Sequence, residues 1–275
     1  MRVLIDGELV SDAEATISVF DWGVIRGFGC FEVVRSYDGQ AFRVDQHLDR
    51  MEHSAQALAI PLPDRSDLAE WIRTQAAAGG DCLVRSYTTA GSPDSLFTTP
   101  GRTVVMWELL PDLPDALRLA PKPAPWHAAG AASELSTAKT LSYAPNMAAT
   151  RAAASDGFDE ALLLTRQDVV LEGPTFSVGW FKEGVLELPS LDLLVLPSIT
   201  RQAAIEVAAG LEIDVVEKHA TLDEVLEADE VCALSTVKQV IPVVGIGSNQ
   251  LNSGPMTAAL AEGFSALVAA ELRSQ

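Results

Sequence analysis

At 275 residues the chain is long enough for one large domain or two modest ones, and its 48% hydrophobic content supplies a sizeable core. A formal net charge of −19 argues against a nucleic-acid partner, whose phosphates need a basic surface. It argues equally against an anionic membrane face. No apolar run approaches the length of a membrane span. The start, Met-Arg-Val-Leu-Ile-Asp-Gly, lacks the apolar centre of a signal peptide. Cys30, Cys82 and Cys232, and His47, His53, His127 and His219, fall at spacings that suggest neither disulfides nor a metal site. A reducing cytoplasm is the expected setting.

In chain order, Asp6-Gly7 between apolar residues predicts a hairpin. Residues 18–35 place Gly23, Gly27 and Gly29 in a loop that leads into a strand, allowing close backbone approach. No lysine follows and no helix is expected to open there, so this is not a phosphate-binding loop. Tyr37-Asp-Gly-Gln40 is a second hairpin turn. Leu48, Met51, Ala55 and Leu58 repeat at helical spacing, with Asp45 as the expected N-cap. Asp64 to Ala78 predicts another helix, closed by Gly79-Gly80, and Cys82 to Thr89 alternates as a strand with Arg85 in its middle. The loop Ala90 to Leu96 carries no cation, and Thr103 to Leu109 is a further strand. Residues 111–125 hold five prolines and are expected to link two domains, 1–110 and 126–275. Beyond them strands alternate with helices. Ala144 to Ser155 is a helix, Leu193 to Gln202 a strand running into the helix Thr200–Gly210, and Met256 to Leu272 a closing helix. No internal repeat is visible.

Two stretches carry chemistry. Lys139 lies among small and hydroxylated residues in Ser-Thr-Ala-Lys-Thr-Leu-Ser-Tyr, the only lysine between Lys122 and Lys182. Burial would favour its neutral amine, which can form a Schiff base with an aldehyde. Glu172 stands beside Gly173 between two apolar runs, where a carboxylate can keep a pyridinium nitrogen protonated. Each has an ordinary reading as well, a loop lysine and a turn-capping glutamate.

Together these stretches resemble the class IV (fold type IV) pyridoxal-phosphate aminotransferases. That family includes branched-chain, D-amino-acid and (R)-amine transaminases and aminodeoxychorismate lyase. The resemblance runs from Ile5-Asp-Gly7 to Pro255. It implies an α+β/α/β fold with a small N-terminal domain, a larger cofactor-binding domain with a β-barrel-like core, and a homodimer with shared active sites. It further implies pyridoxal 5'-phosphate as cofactor, with Lys139 as the amine that joins it and moves the proton. Glu172 would partner the ring nitrogen, and Tyr143 would lie near the phenolic oxygen. His-Leu-Asp-Arg matches the motif whose arginine grips the phosphate, so Arg50 takes that role, an ordinary surface cation without the family. Ile199, Thr200 and Thr236 would complete the phosphate cup, aided by the amides of a helix start. Ser177 stands where the motif more often has asparagine. On the substrate side, Phe31 would line the pocket, and Arg85 matches the carboxylate-binding arginine of the branched-chain enzymes. Arg26, where relatives often have an aromatic residue, would touch a substrate carboxylate or else pair with an aspartate at the rim. The amides of Val237 and Lys238 would face the substrate. The Lys238 side chain would either reach solvent or add a charge for an acidic substrate.

The resulting expectation is a ping-pong aminotransferase acting on small amino donors and oxo-acid acceptors. The alternatives are a lyase releasing pyruvate and 4-aminobenzoate from aminodeoxychorismate, and a non-catalytic pyridoxal-phosphate carrier.

Overall fold

A computed structural model describes residues 2–94, 101–127, 135 and 137–274. The chain divides into two compact units, one of residues 1–111 with 137–143, the other of 112–136 with 144–275.

The first unit contains β1 (Arg2–Ile5), β2 (Glu8–Ser11), α1 (Trp22–Arg26), β3 (Gly29–Tyr37), β4 (Gln40–Ala41), α2 (Val44–Ala57), α3 (Arg65–Gly79), β5 (Cys82–Thr89) and β6 (Thr103–Leu109). Its strands form one antiparallel sheet in the order β2-β1-β6-β5-β3-β4. Period-2 alternation sends Val34, Val84 and Val105 to one face, where they bury against Leu48 of α2 and Leu68 and Ile72 of α3. The glycine-rich stretch, expected as loop alone, does open a short helix. Asp21 accepts the Gly23 amide at 2.7 Å as the N-cap of α1, and Gly27 closes it in the left-handed region at φ 64°. Helix α2 starts on Arg43, a left-handed N-cap without a side-chain cap bond, and Asp45 falls inside the first turn.

The second unit contains β7 (Leu117–Pro123), α4 (Ala144–Ser155), β8 (Glu160–Leu164), β9 (Ser177–Lys182), β10 (Val185–Pro189), α5 (Ile199–Gly210), β11 (Val215–Lys218), α6 (Leu222–Leu226), β12 (Glu230–Ser235), β13 (Gln239–Ile246), β14 (Asn249–Gln250) and α7 (Pro255–Leu272). A mixed sheet runs β11-β10-β9-β12-β13-β7-β8, with β14 paired to β13. Residues beyond β8 carry hydrogen bonding onward: Leu171 donates to Leu163, while Val170 donates to Ala220, just past β11.

Two expectations need correction here. Of the proline-rich stretch 111–125, residues 117–123 are strand β7 of the second unit's sheet and not linker. The Leu119 carbonyl is taken by Gly247, just past β13, and the Ala124 amide points to β8, so odd positions face the β13 side. Pairing with β13 ends at Leu119, so the missing N–H groups of Pro121 and Pro123 fall where no ladder bond is needed. Residues 193–197 are not a strand. Leu191–Leu193 is a 3-10 turn closed by Leu194 at φ 62°, and the Leu196 amide goes to the Glu172 side chain instead of a neighbouring strand.

Candidate active site

The lysine segment belongs to the first unit despite its distance in sequence. Strand β3 pairs with β5 along its length, but β4 covers its other edge only at Ser36 and Tyr37. Residues 139–141 fill the open part of that edge. The Phe31 amide donates to the Lys139 carbonyl at 3.0 Å, and the Leu141 amide donates to the Gly29 carbonyl at 2.8 Å. From α2, Ser54 Oγ accepts the Lys139 amide at 2.9 Å. Both main-chain polar groups of Lys139 are therefore held. Its Nζ stands 4.3 Å from the centre of the Phe31 ring and 5.5 Å from that of Tyr143. The two rings meet edge to face at 5.4 Å. Phe31 and Tyr143 are thus brought to Lys139, while Ser133 and Ser136 lie outside the described residues.

Arg50 is held by an acid that the sequence reading passed over. Glu32 points to the helix-covered face of the sheet with no exposed surface. It accepts Arg50 Nε and Nη2, both at 2.7 Å, and His47 Nδ1 lies 2.7 Å from its second oxygen. Burial alone would push the Glu32 carboxyl up. The Arg50 guanidinium, and then His47, outweigh that and hold it below the usual carboxylate range. Burial pushes His47 down, against the pull of Glu32, so the neutral ring donates from Nδ1. The guanidinium is fixed before any anion reaches it.

In the second unit Glu172 is nearly buried. One carboxylate oxygen accepts the Leu196 amide at 3.2 Å, and the other lies 3.5 Å from His127 Nε2. The same bond anchors the chain entering α5. There the N-cap Ser198 accepts the Arg201 amide at 3.2 Å, leaving the amides of Ile199 and Thr200 outside the helix's own bonding. Ser177 opens β9, buried. Thr236, Val237 and Lys238 form the turn between β12 and β13.

The residues expected on the substrate side are less unified. Arg85 shares a sheet face with Phe31, since its cross-strand partner is Val33, but it is ion-paired with Glu108. Arg26 is exposed at the end of α1 and makes no ion pair with a described residue, so the aspartate expected beside it is absent there. The Lys238 amide donates to Ser235 Oγ at 2.9 Å. The Lys238 side chain is half-buried beside the exposed Thr175. Its Nζ lies 3.3 Å from Thr175 Oγ1 and 5.3 Å from the Phe176 ring, and burial pushes its amine down.

Glu32, Ser54 and His127 are the contributors that sequence reasoning missed. Alternation along β3 already put Glu32 in register with Cys30 and Val34, an acid at a core position. Helical spacing put His47, Arg50 and Ser54 on one face of α2. His127 gave no such signal. Among the described residues no group of His, Cys, Asp and Glu could hold a metal, and no helix is long and apolar enough to cross a membrane.

The family model described as amino-transferase class IV matches residues 29–246. A Methanocaldococcus jannaschii protein provisionally described as a branched-chain-amino-acid aminotransferase is 30% identical over 96% of this chain and 95% of its own. A D-alanine aminotransferase of Listeria monocytogenes is 30% identical, again over 96% of this chain and 95% of its own. The solved structure of the branched-chain aminotransferase of Thermoproteus uzoniensis with norvaline superposes at a TM-score of 0.89, with 27% identity, covering 98% of this chain and 95% of that one. The chain belongs to the class IV aminotransferases, enzymes dependent on pyridoxal 5'-phosphate. Within the first unit the residues fit that cofactor, because an arginine oriented in advance by Glu32 is what a phosphate requires.

Proposed function

We propose that the protein moves the amino group of an L-amino acid to an oxo acid in two half-reactions, with Lys139 as the proton-moving amine. The observation that carries this reading is the fixing of Lys139 through both main-chain groups with Nζ on the rings of Phe31 and Tyr143. When bound, pyridoxal phosphate supplies a ring that withdraws the charge left on the donor's α carbon. Lys139 takes the proton from that carbon and returns it on the cofactor side. Glu172 keeps the ring nitrogen protonated, its carboxylate held in place by the Leu196 amide. Arg50, the amides of Ile199 and Thr200, and the Thr236 hydroxyl hold the phosphate. Ser177 supports this arrangement from the start of β9, and Tyr143 attends the phenolic oxygen.

An amino acid is favoured over a simple amine because Arg85, on the Phe31 face, can exchange Glu108 for a substrate carboxylate, with the exposed Arg26 as a second cation. The L configuration is supported by Arg85 within β5 and by the absence of a cation in the described part of the following loop, residues 90–94. Ser95 and Leu96 lie outside the described residues. Val237 contributes its amide on the substrate side.

We read the second sheet, with its bridging residues 168–172, as the barrel-like core of a cofactor-binding domain. The exposed apolar side chains Val19, Phe20, Val24 and Ile25 support a homodimer, which sedimentation would show as a species of twice the chain mass.

Borohydride reduction followed by peptide mapping should place a pyridoxyl group on Lys139, and Lys139→Ala should lose both that adduct and measurable turnover. Single L-amino acids, and not their D forms, should change the absorbance of the bound cofactor, with 2-oxoglutarate reversing the change. Release of pyruvate from aminodeoxychorismate without an acceptor would identify a lyase instead.

A further inference from the structure

Ser54 is fully buried on α2, one turn after Arg50. Its hydroxyl donates to the Arg50 carbonyl at 2.8 Å, a common back-bond for a helical serine. A hydroxyl has one hydrogen to give and lone pairs to spare. Here a lone pair takes the Lys139 amide at 2.9 Å, 85 residues away in sequence. The neighbouring His53 holds the same segment, with Nε2 2.9 Å from the Oγ1 of Thr137, a residue bent into the left-handed region at φ 65°.

These bonds close a circuit. The Phe31 amide binds the Lys139 carbonyl, and the Lys139 amide binds Ser54. Ser54 binds the Arg50 carbonyl, the Arg50 side chain binds Glu32, and Glu32 adjoins Phe31. We infer that Ser54 is a positioning residue that sets the amine-bearing segment in register with the phosphate-binding arginine. This rests on the reading of Lys139 and Arg50 given above. Such a register matters only to a ligand that engages both residues. A phosphate-bearing relative without the aldehyde uses Arg50 but cannot join Lys139.

The test compares the affinities of pyridoxal 5'-phosphate and pyridoxamine 5'-phosphate for the full chain stripped of cofactor, alongside the borohydride-trapped adduct at Lys139. With Ser54→Ala the pyridoxal form should bind about tenfold more weakly, the scale of one lost hydrogen bond, and the pyridoxamine form should change by less than about twofold. Unchanged affinities, or equal weakening of both ligands as a merely structural role would give, overturn the inference. If Ser54→Ala does not fold, Ser54→Cys, which keeps the shape and weakens the acceptor, is read by the same pair of affinities. A wild-type chain with no adduct at Lys139 defeats the underlying reading. A wild-type adduct matched by an unaltered Ser54→Ala defeats this inference alone.

Discussion

Glu32 brings a charge into a place with no exposed surface, and Arg50 is what makes it tolerable. Replacing it by glutamine removes this carboxylate charge from the Arg50 guanidinium. Glu32→Gln should cost about 3–5 kcal/mol of stability, read from denaturant titration, and should weaken pyridoxal-phosphate binding. The same cluster gives acid sensitivity. Both Glu32 and His47 have folded-state values below their unfolded ones, so each contributes stability above its unfolded value and loses it as the pH falls. His47 acts first, below about pH 6.5, and Glu32 below about pH 4.3. Melting temperature should therefore decline from about pH 6.5 to about pH 5, and His47→Gln should flatten that decline relative to wild type. At this scale the sequence showed the reactive types but not their neighbours. Lys139, Arg50 and Glu172 stood out through motif context. Glu32 looked like one acid among many, because its importance lies in a side-chain pairing across 18 residues.

The seam between β3 and residues 139–141 depends on Gly29. A Cβ there would lie 2.5 Å from Leu141 Cδ1 and 2.6 Å from the Thr88 carbonyl oxygen, too close for either to remain. Gly29→Ala should push the lysine segment off the strand. We expect a loss of about 1–3 kcal/mol in thermal unfolding, with a reduced yield of the Lys139 adduct at equal cofactor concentration. Element existence was mostly readable from periodicity and turns: the Asp6-Gly7 and Asp38-Gly39 hairpins, α2, α3 and α7 all lie where those signals put them. The misses share a cause. Helix α1 was hidden by its glycines, and β7 by prolines whose missing donors face an unpaired edge. The segment 193–197 carried a strand's composition but spends its Leu196 amide on a side chain. Neither partner nor edge is visible in local sequence.

Charge acts on the whole chain. With a formal net charge of −19, like charges repel in the folded state more than in an expanded one, and salt screens that repulsion. Raising ionic strength from about 0.01 M to about 0.15 M shortens the screening length from about 30 to about 8 Å. The melting temperature should rise by about 2–4 °C, the effect of about 1 kcal/mol in a chain of this size, and scanning calorimetry in sodium chloride would check it. Composition alone sufficed for that expectation. It could not show that residues 137–143 fold with the first 111, because that membership is decided at a strand edge far away in sequence.

That late return has a consequence for synthesis. When the first 111 residues have left the ribosome, the nascent N-terminal unit still has a bare β3 margin at residues 29–31, and Ser54 awaits its partner. The segment bearing Lys139 arrives only after β7 has been made. A chain interrupted before residue 139 therefore ends with an unfilled slot, and a supplied peptide spanning 137–143 is the piece shaped to occupy it.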